Sequence, residues 1–223
     1  MTEVVQTPLW IDLIAAVVGG LAGATMAARK RMDITGVVGL ALATGLGGGI
    51  LRDVLLNQLP VAFQAPWYIL AALAAALAVF LFERQINKLT FAVVILDAGA
   101  LAIYGVVGAD KALANEISTL PAILIGVITA VGGGVLRDIL TNQTPNIFRA
   151  DDTLYATAAL AGILVFVGLY ELDVALAPAA FISVGFGFGL RVVAWRRGWG
   201  TPQPFDATER MREVAQKIRA REE

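Results

Sequence analysis

One segment of the chain occurs twice. Residues 47–60 read GGGILRDVLLNQLP and residues 132–145 read GGGVLRDILTNQTP, with ten positions identical. Matching positions differ by 85 in residue number, a spacing close to that of a unit of three membrane helices. An internal repeat of this kind indicates two related structural units, and it limits how every other pattern in the chain is interpreted.

The composition indicates that these units lie in a lipid bilayer. Hydrophobic residues make up 58% of the 223 residues and charged residues 16%, whereas a soluble domain carries roughly 25% charged residues. Seven apolar segments each approach the ~20 residues that a helix needs to cross a bilayer. These segments are residues 9–28, 36–58, 66–82, 91–109, 117–140, 153–170 and 174–195.

The seven segments predict an all-α membrane protein with seven transmembrane helices. The motif spacing assigns the first six helices to two repeats, at about 9–82 and 91–170, and leaves a seventh helix at about 174–195. We therefore predict a single transmembrane domain, residues 1–195, and a charged cytoplasmic tail at 196–223. For the tail, a surface helix near anionic lipid and a disordered end are both open.

The distribution of basic residues predicts the orientation. Of the fourteen lysines and arginines outside the apolar segments, thirteen lie in alternate connections and the tail, and Lys111 is the exception. Because basic residues favour the cytoplasmic side, we predict an outer N-terminus and a cytoplasmic C-terminus. Three helices per repeat then make the second repeat inverted relative to the first, an arrangement that places a transport site near the membrane centre.

Each motif opens with a glycine triplet, on the second and fifth predicted helices. Glycine costs a helix interior about 1 kcal/mol relative to alanine, so a triplet favours a kink or an unwound turn. The freed carbonyls suit a cation and the freed N–H groups suit an anion or an aspartate. Such a break is tolerated only beside protein or a water-filled cavity. The glycines concerned are Gly47, Gly48, Gly49, Gly132, Gly133 and Gly134.

The alternative role for glycine in a membrane helix is to let a neighbouring backbone approach closely. We favour the kink for the triplets because charged residues follow them. We favour close packing for two other pairs, Gly19-x-x-x-Gly23 and Gly185-x-x-x-Gly189.

Two Arg-Asp pairs follow the triplets, Arg52-Asp53 and Arg137-Asp138. An ionisable residue inside a membrane helix costs ~2.5–3.5 kcal/mol or more and usually faces a cavity or a partner. The four residues therefore line a pathway, or they neutralise one another across the repeat axis. The second interpretation pairs Arg52 with Asp138, and Arg137 with Asp53.

Two further acidic residues are related by the same offset, Asp12 and Asp97. We favour a position in the first turn of a helix, where the helix dipole stabilises a carboxylate, and a pore mouth is the alternative. Arg191, close to the inner end of the seventh segment, is expected to snorkel towards the membrane surface. Lys111 is expected to be a solvated loop residue.

Amide side chains end both copies of the motif, as Asn57-Gln58 and Asn142-Gln143. The favoured interpretation is that these amides satisfy free carbonyls at a helix C-terminus. The alternative is a polar lining at the end of a pathway.

The chain contains neither cysteine nor histidine. It therefore lacks a thiol nucleophile, the usual zinc ligands and the usual general base. We expect no enzyme activity, no metal site, no cofactor and no nucleic-acid partner.

With the GGGxLRDxLxNQxP motif on the second and fifth of seven helices, the chain resembles prokaryotic members of the trimeric intracellular cation (TRIC) channel family over roughly residues 9–195. The resemblance implies a homotrimer surrounded by lipid in the inner membrane of a prokaryote. It implies one pore per protomer, conducting potassium or another monovalent cation such as sodium. It also implies kinks at the six triplet glycines and pore charges at Arg52, Asp53, Arg137 and Asp138.

One departure and one alternative qualify the function. Animal members carry a Lys-Glu-Val stretch by the first glycine motif, whereas this chain has Leu51-Arg52-Asp53 after it, so lipid-controlled gating is not expected to transfer. The same bacterial family is also labelled as possible glycine transporters. A secondary transporter of a small zwitterion such as glycine would use half-helix ends equally well, and a membrane structural protein with buried charges is the third interpretation.

Overall fold

The structure is a computed structural model that describes residues 9–82, 91–149 and 154–200. The charged tail beyond residue 200 and the connection at 83–90 lie outside the described residues. A short 3₁₀ helix occupies Asn146–Phe148. The described ranges contain eight α-helices: α1 Leu9–Arg29, α2 Ile34–Leu55, α3 Val61–Gln64, α4 Pro66–Leu81, α5 Ala92–Ala114, α6 Thr119–Leu140, α7 Tyr155–Glu171 and α8 Leu176–Arg197.

The all-α prediction is confirmed, because each predicted apolar segment corresponds to one helix. Within the described ranges, four helices are long and apolar enough to cross a membrane: Trp10–Arg29, Ile34–Leu55, Thr119–Leu140 and Leu176–Arg197. Two more, α4 and α7, are shorter apolar helices. The sequence did not predict the short helix α3 or the 3₁₀ turn, since neither is long enough to produce a hydropathy pattern.

Helices α2 and α6 lie at the centre of the bundle, and each packs against its own group of neighbouring helices. Helix α2 packs against α1, α4 and α6, while α6 packs against α5, α7 and α2. One buried apolar cluster joins α1, α2 and α4 and includes Ala24, Leu40 and Val79. A second joins α5, α7 and α8 and includes Val106 and Phe166. The contact between α2 and α6 therefore connects the two halves of the molecule.

Glycine makes the contact between α2 and α6 possible. A Cβ atom added at Gly48 would clash with the carbonyl oxygen of Thr129, and one added at Gly133 would clash with the carbonyl oxygen of Thr44. Both approaches are closer than real Cβ atoms show, and a backbone carbonyl in a helix cannot move aside cheaply. The triplets therefore carry out the close packing that the sequence analysis assigned only to other glycines.

The order of contacts at this crossing shows that α2 and α6 run in opposite directions. A Cβ at Gly47 would meet Leu136, and a Cβ at Gly132 would meet Leu51. The first glycine of each triplet thus faces a residue that follows the other triplet. Both α2 and α6 continue through their triplets as uninterrupted α-helices, so the predicted unwound turn is wrong.

The other two glycine pairs behave differently from each other. A Cβ at Gly19 would lie 3.1 Å from the Cα of Gly45, and one at Gly23 would lie 2.5 Å from Thr44 Oγ1. This close packing of α1 on α2 confirms the prediction. A Cβ at Gly185 or Gly189 meets no atom of the described chain within 4 Å, so the predicted close packing is not seen within one protomer and stays a prediction.

The ends of α2 and α6 are formed by main-chain hydrogen bonds. Asn57 and Asn142 take the left-handed conformation, with φ of 54° and 52°, which asparagine tolerates better than most residues. The following N–H groups, of Gln58 and Gln143, each donate to a carbonyl one turn earlier at 2.8 Å. These main-chain bonds do the capping that the sequence analysis assigned to the side-chain amides.

Candidate functional site: two buried charge clusters

The first charged cluster is organised around Arg52, near the end of α2. Its Nη1 and Nη2 donate to the two carboxylate oxygens of Asp12, each at 3.2 Å. Its Nε donates to Asp53 Oδ1 at 2.7 Å. The planar guanidinium matches a carboxylate in this two-bond geometry. Since the Arg52 side chain is fully buried, its positive charge is neutralised by two carboxylates rather than by water.

Asp53 also binds a residue from another helix. Its Oδ1 accepts from Lys111 Nζ at 2.8 Å, and its Oδ2 accepts from the backbone N–H of Val61 at 2.9 Å. Lys111 lies in the last turn of α5, and its side chain is 18% exposed. The prediction that it is a solvated loop residue is therefore wrong, because α5 continues to Ala114, beyond the end of its apolar segment. We call Asp12, Arg52, Asp53 and Lys111 the Arg52 cluster.

The second cluster repeats the first at the matching positions of the second repeat. Arg137 Nη1 donates to Asp97 Oδ1, and Arg137 Nε donates to Asp138 Oδ1 at 2.9 Å. Asp138 Oδ2 accepts from the backbone N–H of Asn146 at 3.0 Å. Asn146 occupies the position that matches Val61 of the first repeat, so the second contact of the aspartate is repeated as well. We call Asp97, Arg137 and Asp138 the Arg137 cluster.

The predicted pairing across the repeat is wrong. Each arginine binds the aspartate that follows it and an aspartate from the preceding long helix: Arg52 pairs with Asp53, and Arg137 with Asp138. The physical reason is the antiparallel crossing of α2 and α6. Both charged pairs lie beyond the triplets in chain order, so they move apart towards opposite ends of the crossing.

Asp12 and Asp97 both bind arginine, although their helix positions differ. Asp12 lies in the first turn of α1, as predicted. Asp97 lies outside the first turn of α5, which begins at Ala92, so that half of the prediction is wrong. The two residues are 8% and 7% exposed, compared with 0–1% for the four charged motif residues. They are therefore the carboxylates of the clusters that lie closest to open space.

Tyrosines border both clusters, and the sequence analysis did not identify them as part of the site. Tyr68 and Tyr155 lie in the first turns of α4 and α7, and both are buried. The Tyr104 hydroxyl donates to the carbonyl of Gly45. The sequence could have indicated them, because a tyrosine lies near the start of the third apolar segment of each repeat. Because aromatic residues are common at membrane interfaces, that indication was easily overlooked.

Arg191 of α8 lies beside the Arg137 cluster rather than at the membrane surface. Its guanidinium carbon is 5.0 Å from the centre of the Tyr155 ring, in a cation–π contact. Arg191 is only 4% exposed, so the prediction that it snorkels is wrong. The Tyr155 hydroxyl lies against α6, where a Cβ added at Gly134 would be 2.5 Å from it.

One further polar contact and one small cavity lie beside the Arg52 cluster. Gln58 Nε2 donates to Asn115 Oδ1 at 2.5 Å, which links the ends of α2 and α5. A pocket of about 10 Å³ lies between Asp12, Gly49 and the two tyrosines of this half, Tyr68 and Tyr104. This is about the volume that one water molecule needs.

The two clusters lie at opposite ends of one helix. Asp97 and Lys111 are about four turns apart on α5, and a rise of 1.5 Å per residue separates them by about 21 Å. The glycine crossing of α2 and α6 lies between them in space, since the charged pairs leave it in opposite directions. This arrangement, buried charges on both sides of a close helix crossing in an apolar bundle, is typical of channels and secondary transporters.

Comparison with known families identifies the particular family. A family model described as "Glycine transporter" matches residues 9–84 and 94–171. The TRIC trimeric intracellular cation channel orthologue from Rhodobacter sphaeroides has a similar structure, with a TM-score of 0.79 and 34% identity, covering 85% of this chain and 97% of that one. A second solved TRIC cation channel gives a TM-score of 0.78 and 33% identity, covering 88% and 96%.

Curated relatives agree with this result. The UPF0126 membrane protein SCO4104 of Streptomyces coelicolor is 41% identical over 198 residues, which is 88% of this chain and 90% of that protein. The UPF0126 inner membrane protein YadS of Escherichia coli K12 is 33% identical over 190 residues, or 84% and 91%. The chain therefore belongs to the prokaryotic membrane family that includes the TRIC cation channels. These relatives are membrane and channel proteins rather than enzymes, and the structural similarity supports a cation channel.

Proposed function

We propose that the protein is a passive channel for monovalent cations, potassium foremost, with one pore in each protomer between α2 and α6. The observation that carries the proposal is the pair of carboxylate-rich clusters on either side of the glycine crossing. Carboxylates are the groups that cation channels place along their pathways. The similarity to TRIC cation channels supports the same function.

The proposed membrane arrangement has seven spans, formed by α1, α2, α4, α5, α6, α7 and α8. In it, α1, α2 and α4 are related to α5, α6 and α7 by inversion, and α8 is the additional helix. The constant offset between matching hydrogen bonds supports the repeat, and the antiparallel crossing supports the inversion. Residues 1–195 form one transmembrane domain, and residues 196–223 form a cytoplasmic tail.

Each part of the site has a proposed role in permeation. Asp12 and Asp97 attract cations at the two ends, since they are the most exposed acids of their clusters. Arg52 and Arg137 do not repel cations, because each is neutralised by two carboxylates. The triplet glycines present a wall without side chains, and bending of α2 and α6 at the triplets opens the path between the clusters.

The amide residues contribute a polar lining at the ends of the path. Asn57, Gln58, Asn142 and Gln143 follow the charged clusters in chain order, and Gln58 already contacts a side chain just beyond the end of α5. The N-terminus is outside and the C-terminus cytoplasmic in this proposal. The basic distribution supports that orientation.

The proposed assembly is a homotrimer in the inner membrane, in contact with lipids. The R. sphaeroides orthologue is described as trimeric, and the E. coli relative is described as an inner membrane protein. Native mass spectrometry from a mild detergent should show three copies of the chain. A spectrum of monomers or dimers alone would contradict the assembly.

The channel is tested by single-channel recording in planar bilayers under a potassium chloride gradient. Discrete steps that reverse near the potassium potential are expected. Asp12→Asn and Asp97→Asn should each lower the step amplitude by about twofold, the change in cation occupancy that one charge at about 8 Å produces in water. Asp173→Asn, an exposed loop residue that already has positive φ, is the matched control. Reversal near the chloride potential would contradict the proposal.

The second candidate is a secondary transporter of glycine, which the description of the matching family favours. In that case Asp12 or Asp97 would bind the ammonium group and a helix end would bind the carboxylate. Saturable uptake of labelled glycine into proteoliposomes that show no channel steps would favour the transporter over the channel. Steps without uptake would reject the transporter.

A further inference from the structure

The two clusters differ in one respect. Each contains or adjoins a basic residue from a further helix, and these two basic residues do not occupy matching positions of the repeat. Asp53 binds Lys111 of α5, and the matching position in the first repeat is Met26, which carries no charge. The Arg137 cluster therefore lacks the counterpart of Lys111. Instead, a basic residue reaches it from α8, the helix outside both repeats: Arg191, stacked on Tyr155.

Lys111 and Arg191, the two basic residues that do not follow the repeat, have the same effect on the net charge of their clusters. In each cluster, the members common to both repeats are two aspartates and one arginine, which sum to −1. Lys111 brings the sum of the Arg52 cluster to zero through its 2.8 Å contact with Asp53. Arg191 does the same for the Arg137 cluster, because its guanidinium stacks 5.0 Å from the ring centre of Tyr155, whose hydroxyl lies against α6 at Gly134.

We propose that Lys111 and Arg191 form a matched pair that balances the two ends of the cation path. Each cancels the residual negative charge of one cluster, so cations enter from either side with equal ease and the current–voltage relation is nearly linear. The proposal rests on the channel function and pore position proposed above. It gives α8, the additional helix outside the repeats, a role in permeation through the guanidinium of Arg191.

A charge at one end of a narrow path acts differently from a packing residue. Removing one positive charge leaves an uncompensated carboxylate at that end only, and the local cation concentration there rises. At about 8 Å in water, one unit charge changes the occupancy of a cation by about twofold. Salt screens this effect, since the Debye length falls from about 8 Å at 0.15 M to about 3 Å at 1 M.

Giant spheroplast patches test the proposal, because they keep the orientation of the protein known. In symmetric potassium chloride at about 0.15 M, Arg191→Gln should carry about twofold more current from the cytoplasmic side than towards it. Lys111→Gln should rectify by a similar factor in the opposite direction. The double variant should be nearly linear again. Raising the salt to about 1 M should remove the rectification of both single variants.

Two conservative variants separate charge from packing. Arg191→Lys keeps the charge and loses the planar stacking on Tyr155, so it should stay linear. Tyr155→Phe keeps the ring under the guanidinium, so it should also stay linear. If Arg191→Gln does not reach the membrane, Lys111→Gln alone decides, because its Nζ is partly exposed and its loss leaves the Arg52–Asp12 pair in place.

Several results would overturn the charge balance while leaving the channel intact. These are linear currents in both Gln variants, rectification of the same sign in both, rectification in Arg191→Lys, and rectification that persists at high salt. A parent protein that conducts no cations would instead overturn the channel itself, and the charge balance with it.

Discussion

Each motif arginine is the centre of its cluster, since three N–H groups of Arg52 and two of Arg137 donate to carboxylates. In each cluster these bonds help to neutralise two buried aspartates. Breaking a buried ion pair by removing one partner is strongly destabilising, by about 3–5 kcal/mol, because it leaves an uncompensated charge. The arginines are therefore needed for folding as well as for the proposed permeation.

Arg137→Gln is expected to destabilise the protein by about 3–5 kcal/mol, since Asp97 and Asp138 both lose the buried guanidinium that they bind. Adding Asp97→Asn should recover part of this loss, because one of the two carboxylates becomes neutral. Unfolding in mixed detergent micelles, followed by tryptophan fluorescence, measures both changes.

Arg149→Gln is the control for this comparison. Arg149 is exposed, and its contact with Asn146 is long at 3.4 Å. A change within about 0.5 kcal/mol is expected there. Equal stability of Arg137→Gln and the Arg149 control, or a further loss on adding Asp97→Asn, would show that the cluster does not have the described electrostatic role.

The sequence predicted the members of the clusters better than their partners. The repeat and the cost of charge in a membrane identified Arg52, Asp53, Arg137 and Asp138, and the offset added Asp12 and Asp97. Which carboxylate each arginine binds depends on how the helices are rotated about their axes and where they cross. A repeated motif contains neither, so the pairing and the role of Lys111 could only come from the three-dimensional structure.

At the scale of helices, the contact between α2 and α6 depends on residues without side chains. The closest approaches are of Gly48 to the carbonyl of Thr129 and of Gly133 to the carbonyl of Thr44. Such Cα–H···O contacts are common where helices pack tightly. The same two helices carry the arginines of both clusters, so their separation sets the geometry of the whole site.

Gly48→Ala and Gly133→Ala are expected to push α2 and α6 apart and to lower stability by about 1–3 kcal/mol, the usual range for an overpacked site. Both variants should also reduce the current, since the charged clusters move with their helices. Thermal unfolding in detergent and single-channel recording are the two measurements.

Gly39→Ala provides the matched control on α2 itself. A Cβ at Gly39 meets no atom of the described chain within 4 Å, and alanine is the better helix former by about 1 kcal/mol. This variant should be at least as stable as the parent and should conduct as the parent does. Equal losses at Gly39 and Gly48 would mean that the triplet acts through helix propensity rather than through the crossing.

Hydropathy predicted the positions of the long helices, because a long helix buried in lipid or in the protein core needs an apolar segment. Hydropathy predicted the ends of the helices less well. Helix α5 extends to Ala114 through Asp110 and Lys111, since these residues continue a helix although they end an apolar segment. The predicted unwound turn was wrong for a related reason: glycine is unfavourable in an isolated helix, but the contact between α2 and α6 compensates for that cost.

At the scale of the whole molecule, the contacts place helix ends on two faces. The start of α1 and the ends of α2 and α5 meet in the Arg52 cluster. The start of α5 and the end of α6 meet in the Arg137 cluster, with Tyr155 at the start of α7 and Arg191 near the end of α8 beside it. With the basic residues on the cytoplasmic side, we expect the Arg52 cluster at the outer face and the Arg137 cluster at the inner face.

Because the chain contains no cysteine, a single introduced thiol reports the side of the membrane on which it lies. Ser118→Cys, in the connection between α5 and α6, should react with a membrane-impermeant maleimide on intact cells. Lys30→Cys, in the connection between α1 and α2, should react only after the membrane is permeabilised. Lys30 and Ser118 are both exposed, so a difference in labelling reports the side of the membrane rather than burial. Labelling of Lys30→Cys on intact cells would reverse the assignment of the two clusters to faces, and equal labelling of both would mean that the protein inserts in both orientations.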